Sequence, residues 1–254
     1  MRENDRPMGR AWDIVVAGSL LTRLPWPHAP KQAFSAPARA VWAYPLIGAL
    51  LGGLAVIFGL GLLWLGLPAM LAAGSMLVLY LLMTGAMHED GLADTADGLW
   101  GGWTAERRLE IMKDSHIGSY GVLALIMVTG LRWSALTALL PISWAGVVTA
   151  AILSRTVMPL LMAWLPQART TGLARSVGQP GAGLTAGTVC AGGLAAIVLT
   201  GPAGLLAFVM ALVTAVCVGL LARAKIGGVT GDILGATQQL SETVVLIALI
   251  ALLT

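Results

Sequence analysis

Charge is what this chain lacks. Of its 254 residues only 11% are Asp, Glu, Lys or Arg, while 57% are hydrophobic and the mean hydropathy is +0.85. Soluble domains carry roughly a quarter charged residues, so an ordinary soluble fold is excluded. Cysteine is scarcer still. Cys190 and Cys217 are the only two; both sit in apolar runs, with no metal-ligand spacing. That argues against a cysteine metal centre or a disulfide framework and predicts two buried thiols. Also missing is a continuous signal-peptide core, because Asp13 and Arg23 interrupt "AWDIVVAGSLLTRLPWP". No cleavable leader is expected, and this segment suits a short helix lying on a membrane surface. No internal repeat is visible.

Long apolar runs are what the chain has. Spans are predicted near 41–65, 69–87, 120–140, 144–165, 184–200, 203–222 and 242–254, the last short enough for a partial crossing. A bilayer needs about 20 apolar residues per helix. The expected fold is therefore all-α: a polytopic membrane helix bundle of about seven spans, forming a single integral domain over residues 1–254. The connections sort by charge. Six of the 15 Lys and Arg precede residue 40, and Arg107, Arg108, Lys113, Arg169, Arg175, Arg223 and Lys225 occupy alternate connections. The turns near 66–68, 141–143 and 201–202 hold none. Basic loops stay in the cytoplasm, which predicts a cytoplasmic N-terminus and an external C-terminus. The net charge of +3 is explained by this anchoring, and no nucleic-acid partner is expected.

The scarce acids are not scattered. Four of the 12 Asp and Glu fall in "HEDGLADTADG", 88–98, immediately after an uncharged run. As a helix at about 100° per residue, Asp94 lies about 40° from Asp90, and Asp97 about 20° to the other side. Like charges at this spacing repel unless a cation lies among them. Oxygen ligands suit a hard ion such as Mg²⁺, which is held by carboxylates together with substrate phosphates. Asp90, Asp94 and Asp97 are thus the candidate metal ligands, and solvated loop acids are the bland alternative. Glu89 is at most an outer ligand, and His88 suits a structural hydrogen bond.

The next stretch, "GGWTAERRLEIMKDSHIGSYG", predicts a short amphipathic helix capped by Thr104, with Leu109, Ile111 and Met112 inward. Glu106, Arg107, Arg108 and Glu110 are expected to be a solvated face. Lys113, Asp114 and Ser115 could form a phosphate-facing turn beside Gly118 and Gly121. Two arginines interrupt spans. Arg155, too deep to reach the surface, is expected to face inward and bind a carboxylate or phosphate. Arg132 also needs a partner. In "GGVTGDILGATQQLSE", 227–242, Asp232 and Gln239 share a helix face with Glu242 beside them, and Asp232 reads equally as a helix cap or a substrate contact.

"TRLPWP", "HEDGLADTADG", "RRLEIMKDSHIGSYG", "LSR" and "GGVTGDILGA" together resemble the cobalamin synthase family, the adenosylcobinamide-GDP ribazoletransferases, from about residue 15 to the C-terminus. Glu89 stands where that family often has an apolar residue, so it is not implied as an obligatory ligand. The resemblance implies a Mg²⁺-dependent enzyme of the bacterial inner membrane, working at the cytoplasmic face. It would join adenosylcobinamide-GDP to α-ribazole or its 5′-phosphate, releasing GMP, in association with other cobalamin-pathway enzymes. It further implies that Asp90, Asp94 and Asp97 hold the ion against the diphosphate. One of those aspartates, or Asp114, would take the hydroxyl proton. Lys113 and Arg155 would meet phosphate charge, and Asp232 and Glu242 would bind a second ion or a ribose hydroxyl. Two rivals remain. A CDP-alcohol-type phosphotransferase is disfavoured by "TAD" after "DGLAD", and a transporter by the missing repeat.

Overall fold

The computed structural model describes residues 10–253, and residues 1–9, with Arg2 and Arg6 of the basic N-terminal segment, lie outside them. Helix α1 (Arg10–Leu21) leads through two 3-10 turns, Lys31–Ser35 and Pro37–Ala43, into α2 (Tyr44–Trp64). Then follow α3 (Ala69–Thr84), α4 (Met87–Gly101), α5 (Ala105–Ile111) and α6 (Ser119–Leu139). The chain continues through α7 (Trp144–Thr156), α8 (Met158–Trp164), the short α9 (Leu173–Val177), α10 (Ala182–Thr200), α11 (Pro202–Ile226) and α12 (Gly231–Leu253). Six helical units are long and apolar enough to cross a membrane, and α3 together with α4, bent by 90°, makes a seventh where the pair counts as one broken span. The all-α bundle of six to seven spans is as expected.

Helix α7 is the axis of the bundle. All its residues from Gly146 to Thr156 are buried, and it packs against α2, α10 and α12. Side chains on the periphery are apolar and exposed, as Ile57, Leu82, Ile126, Met127 and Val198 illustrate. An apolar exterior of that extent belongs in lipid. Exposed Trp64 and Trp144 lie at one end of the bundle and Trp100 and Trp103 at the other, where indole rings favour the membrane–water boundary. Cys190 and Cys217 are free, but both are exposed on this exterior, not buried as expected. Their helices pack inward through smaller residues, Gly192 and Gly193 on α10 and Ala211 and Ala215 on α11.

Three local features differ from the sequence reading. The span expected over 144–165 is present as Trp144–Trp164, but its helix is interrupted at Val157, where Pro159 opens α8. The last span does not start near 242: α12 begins at Gly231 and absorbs the whole polar cluster into a full-length helix. Its polar side chains are buried against α4, α6 and α7, which is why a hydropathy reading cut it short. Finally, Gly85 and Ala86 both take left-handed backbone conformations (φ +66° and +56°), and α4 leaves α3 at 90°. Helix α4 therefore leaves the line of α3 and packs along α6 and α12, with Glu89 bonded to Arg132 and Gln239 inside the bundle and Asp97 at the start of α6.

Candidate active site at one end of the bundle

Every basic connection that the structure describes meets at the end where α4 lies. The Arg23 amide donates to the Met83 carbonyl at 2.7 Å, Arg108 Nη1 to the Lys225 carbonyl at 2.9 Å, and Arg169 Nη2 to the Leu109 carbonyl at 3.3 Å. Arg108 is thereby a bridge between α5 and α11 and departs from the solvated face expected of it. Its neighbours Arg107 and Glu110 do form an exposed ion pair at 3.0 Å. Thr104 caps α5 as predicted, accepting from the Arg107 amide.

The three aspartates of α4 divide. Asp97 turns inward. One carboxylate oxygen accepts from the Gly118 amide at 2.7 Å and the other from the Gly121 amide at 2.9 Å. An anion there satisfies the free donors of the first turn of α6 and matches the helix dipole. A side chain at either glycine would overlap the Asp97 carboxylate, which accounts for both glycines. Asp90 is exposed and Asp94 half-buried, and neither carboxylate has a hydrogen bond or ion pair among the described residues. Burial, Asp232 and Asp90 push the Asp94 carboxyl up to about 7, only partly offset by Arg169. Among the described residues no three His, Cys, Asp or Glu side chains converge closely enough to form a ready-made metal cage. Asp97 is committed to α6, which leaves Asp90 and Asp94 as the members of the aspartate trio without a hydrogen-bond partner among the described residues.

Of the three depressions that border Asp90, two carry basic side chains. A groove between α4 and the α5–α6 connection is lined by Asp90, Asp94, Lys113, Asp114, Ser115 and His116. Asp114 accepts from the His116 amide at 3.1 Å and lies 2.7 Å from His116 Nδ1; these bonds hold its carboxyl below the usual range. On the other side lies a cavity of about 190 Å³, bordered at its polar rim by Asp90, Arg169, Arg175, Thr230 and Asp232. Asp232 forms an ion pair with Arg169 at 2.8 Å and lies 3.2 Å from the Thr230 hydroxyl, so both a local turn and a site contact engage it.

Residues 13–250 match the family described as cobalamin-5-phosphate synthase. This chain belongs to that family. It is 43% identical over 241 residues to the adenosylcobinamide-GDP ribazoletransferase of Bradyrhizobium diazoefficiens, covering 92% of each chain. The Azorhizobium caulinodans protein of the same name is 41% identical, over 91% of this chain and 92% of its own. That of Rhizobium etli is 42% identical, over 94% and 96%. No solved structure matches.

In this synthase-family chain Arg155 and Glu242 do meet, but away from both depressions. Glu242 receives Arg132 Nη2 at 2.7 Å and Arg155 Nη1 at 3.3 Å, with Ser154 at 3.2 Å and Gln238 completing its shell. Arg132 also donates to Gln239 at 2.6 Å and to Glu89 at 3.2 Å, and Gln239 donates to Glu89 at 2.9 Å. Two arginines and two glutamates thus balance inside the bundle and tie α4 to α6, α7 and α12. Arg155 therefore finds the carboxylate expected of it in Glu242, with no opening for a phosphate. Arg169, Arg175 and His116 were read only as loop residues or not at all. Their roles depend on contacts between distant segments, and only the short "DSH" spacing carries a local signal.

Proposed function

We propose that this chain is an adenosylcobinamide-GDP ribazoletransferase whose reaction takes place over the Asp90–Asp94 pair. One observation carries the reading. Two unpaired carboxylates border openings rimmed by Lys113, Arg169 and Arg175, in a chain more than 40% identical to proteins named for this transfer. Crowded carboxylates without enough neighbouring positive charge fit a divalent cation. Mg²⁺ needs only one or two of them when a substrate supplies phosphate oxygens, so Asp90 and Asp94 would hold it. When bound, the ion supplies charge neutralisation on the diphosphate.

The protein's own groups do the rest. Lys113, Arg169 and Arg175 attract and orient the phosphates. The ribazole ribose hydroxyl bonds to the phosphorus that carries cobinamide, and the diphosphate bond breaks with its electron pair leaving on GMP. The hydroxyl proton passes to the Asp114–His116 pair on the opposite wall of the groove, since cation-bound aspartates are poor bases. Positioning and charge compensation dominate chemistry of this kind. The site faces the cytoplasm of a bacterial inner membrane, where the nucleotide substrate is made, and other enzymes acting on corrinoids would work alongside it.

The test uses purified protein in liposomes with adenosylcobinamide-GDP, α-ribazole 5′-phosphate and Mg²⁺, following GMP and the joined corrinoid by chromatography. EDTA should abolish turnover, and Asp94→Asn should lower kcat by at least about a hundredfold. Full activity in EDTA would remove the metal from the reading, and a lipid product would replace the reading altogether.

A further inference from the structure

The 190 Å³ cavity carries its charged groups at the rim, and much of the rest of its wall is apolar. Below the rim the walls are Leu20 and Leu21 of α1, Tyr44 of α2, and Met158 and Met162 of α8. All but Leu20 are buried in the protein and fixed by the surrounding core. His88, at the start of α4, also lines the cavity; it is 1% exposed and its Nε2 has no hydrogen-bond partner. A buried ring nitrogen without a partner is costly unless a ligand supplies one. Pockets for whole drug-sized ligands run to roughly 300–1,000 Å³, so this cavity accepts one end of a substrate and is too small for a corrinoid or a complete dinucleotide.

We propose that this cavity is the subsite for the apolar base of the ribazole acceptor. The inference rests on the transferase reading above. A methylated benzimidazole is flat, fused and almost without hydrogen-bonding groups except its free ring nitrogen. The leucine, methionine and tyrosine walls accept the ring, and His88 and the buried, unpartnered Gln167 Nε2 are the polar groups available to that nitrogen. With the base seated inward, its ribose reaches the rim beside Asp90, and a 5′-phosphate meets Arg175, an exposed guanidinium with no ion-pair partner among the described residues. A guanine base fits poorly, because its amide and amino groups would be stripped of water against methionine and leucine. Methionine walls also adapt to modest changes in ring shape.

The experiment measures KM for each substrate separately in liposomes. Leu20 is half-buried, so Leu20→Trp fills the cavity from its edge with little risk to folding. We expect Leu20→Trp to raise KM for α-ribazole 5′-phosphate roughly tenfold or more, with KM for adenosylcobinamide-GDP changed less than about twofold. In the wild type, an acceptor lacking the two ring methyls should bind about sixteenfold less well, at about fourfold per methyl buried. His88→Phe should weaken both acceptors by a similar factor and leave the donor unaffected. Equal effects on both substrates, or no effect from either substitution in protein that melts like the wild type, would overturn the assignment. A wild type that forms no product with any acceptor would instead overturn the transferase reading.

Discussion

Single residues decide whether the acidic helix carries a cation. Asp94 is the informative one, because its carboxyl is raised from 3.8 to about 7 by burial and by Asp232 and Asp90. A raised carboxyl favours the folded state while it is protonated. That contribution is complete below about pH 4 and is lost as pH rises through 7. In EDTA, the wild-type melting temperature should therefore fall between pH 5 and pH 8.5, whereas Asp94→Asn should fall less, making the variant the more stable protein at the alkaline end. Adding Mg²⁺ at pH 8.5 should raise the wild-type melting temperature and leave the variant almost unchanged. Identical pH profiles for the two proteins would mean that Asp94 is not crowded by its neighbours. Asp97 offers the contrast. Equally acidic in sequence, it is spent on two backbone amides of α6, and no count of residues along α4 reveals that.

Elements hold the site through one close crossing and one buried charge network. Helix α4 crosses α12 where Gly91 and Gly235 face each other. A methyl at Gly91 would lie 2.9 Å from the Asp232 carbonyl oxygen and 3.3 Å from the Gly235 Cα. Gly91→Ala should push α4 off α12, cost about 1–3 kcal/mol in thermal stability and lower turnover by displacing Asp90 and Asp94 together. A fully active Gly91→Ala protein would show that the crossing has slack. The charge network is less forgiving. Arg132→Met leaves Glu89 and Glu242 buried with only Arg155 between them, a loss of about 3–5 kcal/mol, and adding Glu242→Gln should recover part of it. Denaturation of the single and double variants in detergent checks this, and strict additivity would contradict the coupling. The acidic helix, the Thr104 cap and the inward arginines were legible in sequence because each has a local signature: an acid run, a capping residue, a charge among apolar neighbours. Glu89's partners were not, since they come from Arg132 and Gln239, 43 and 150 residues away. The start of α12 was hidden for a related reason. Its polar residues are buried against other polar residues, which an average of hydropathy scores as loop.

The whole molecule is polarised. All described basic connections gather with the Asp90–Asp94 pair at one end, and the turns at the other end, around Gly66, Ile142 and Gly201, hold no lysine or arginine. Lysine and arginine in short loops resist translocation, so the site end should face the cytoplasm. Helix parity agrees if α3 and α4 count as one broken crossing: seven spans carry a cytoplasmic N-terminus to an external C-terminus. Cys190 and Cys217 are free and exposed, so a labelling test starts from the Cys190→Ala/Cys217→Ala background. In intact cells, a membrane-impermeant maleimide should label Ile142→Cys, since Ile142 is 53% exposed at the uncharged end. Ser115→Cys, on the groove beside Asp90, should react only after the membrane is opened. The reverse pattern would invert the molecule and place a nucleotide-consuming site on the side where no nucleotide is made. With the predicted pattern, Mg²⁺ or adenosylcobinamide-GDP should also slow labelling of Ser115→Cys in opened membranes and leave Ile142→Cys untouched, because only the cytoplasmic end has carboxylates and arginines to bind them.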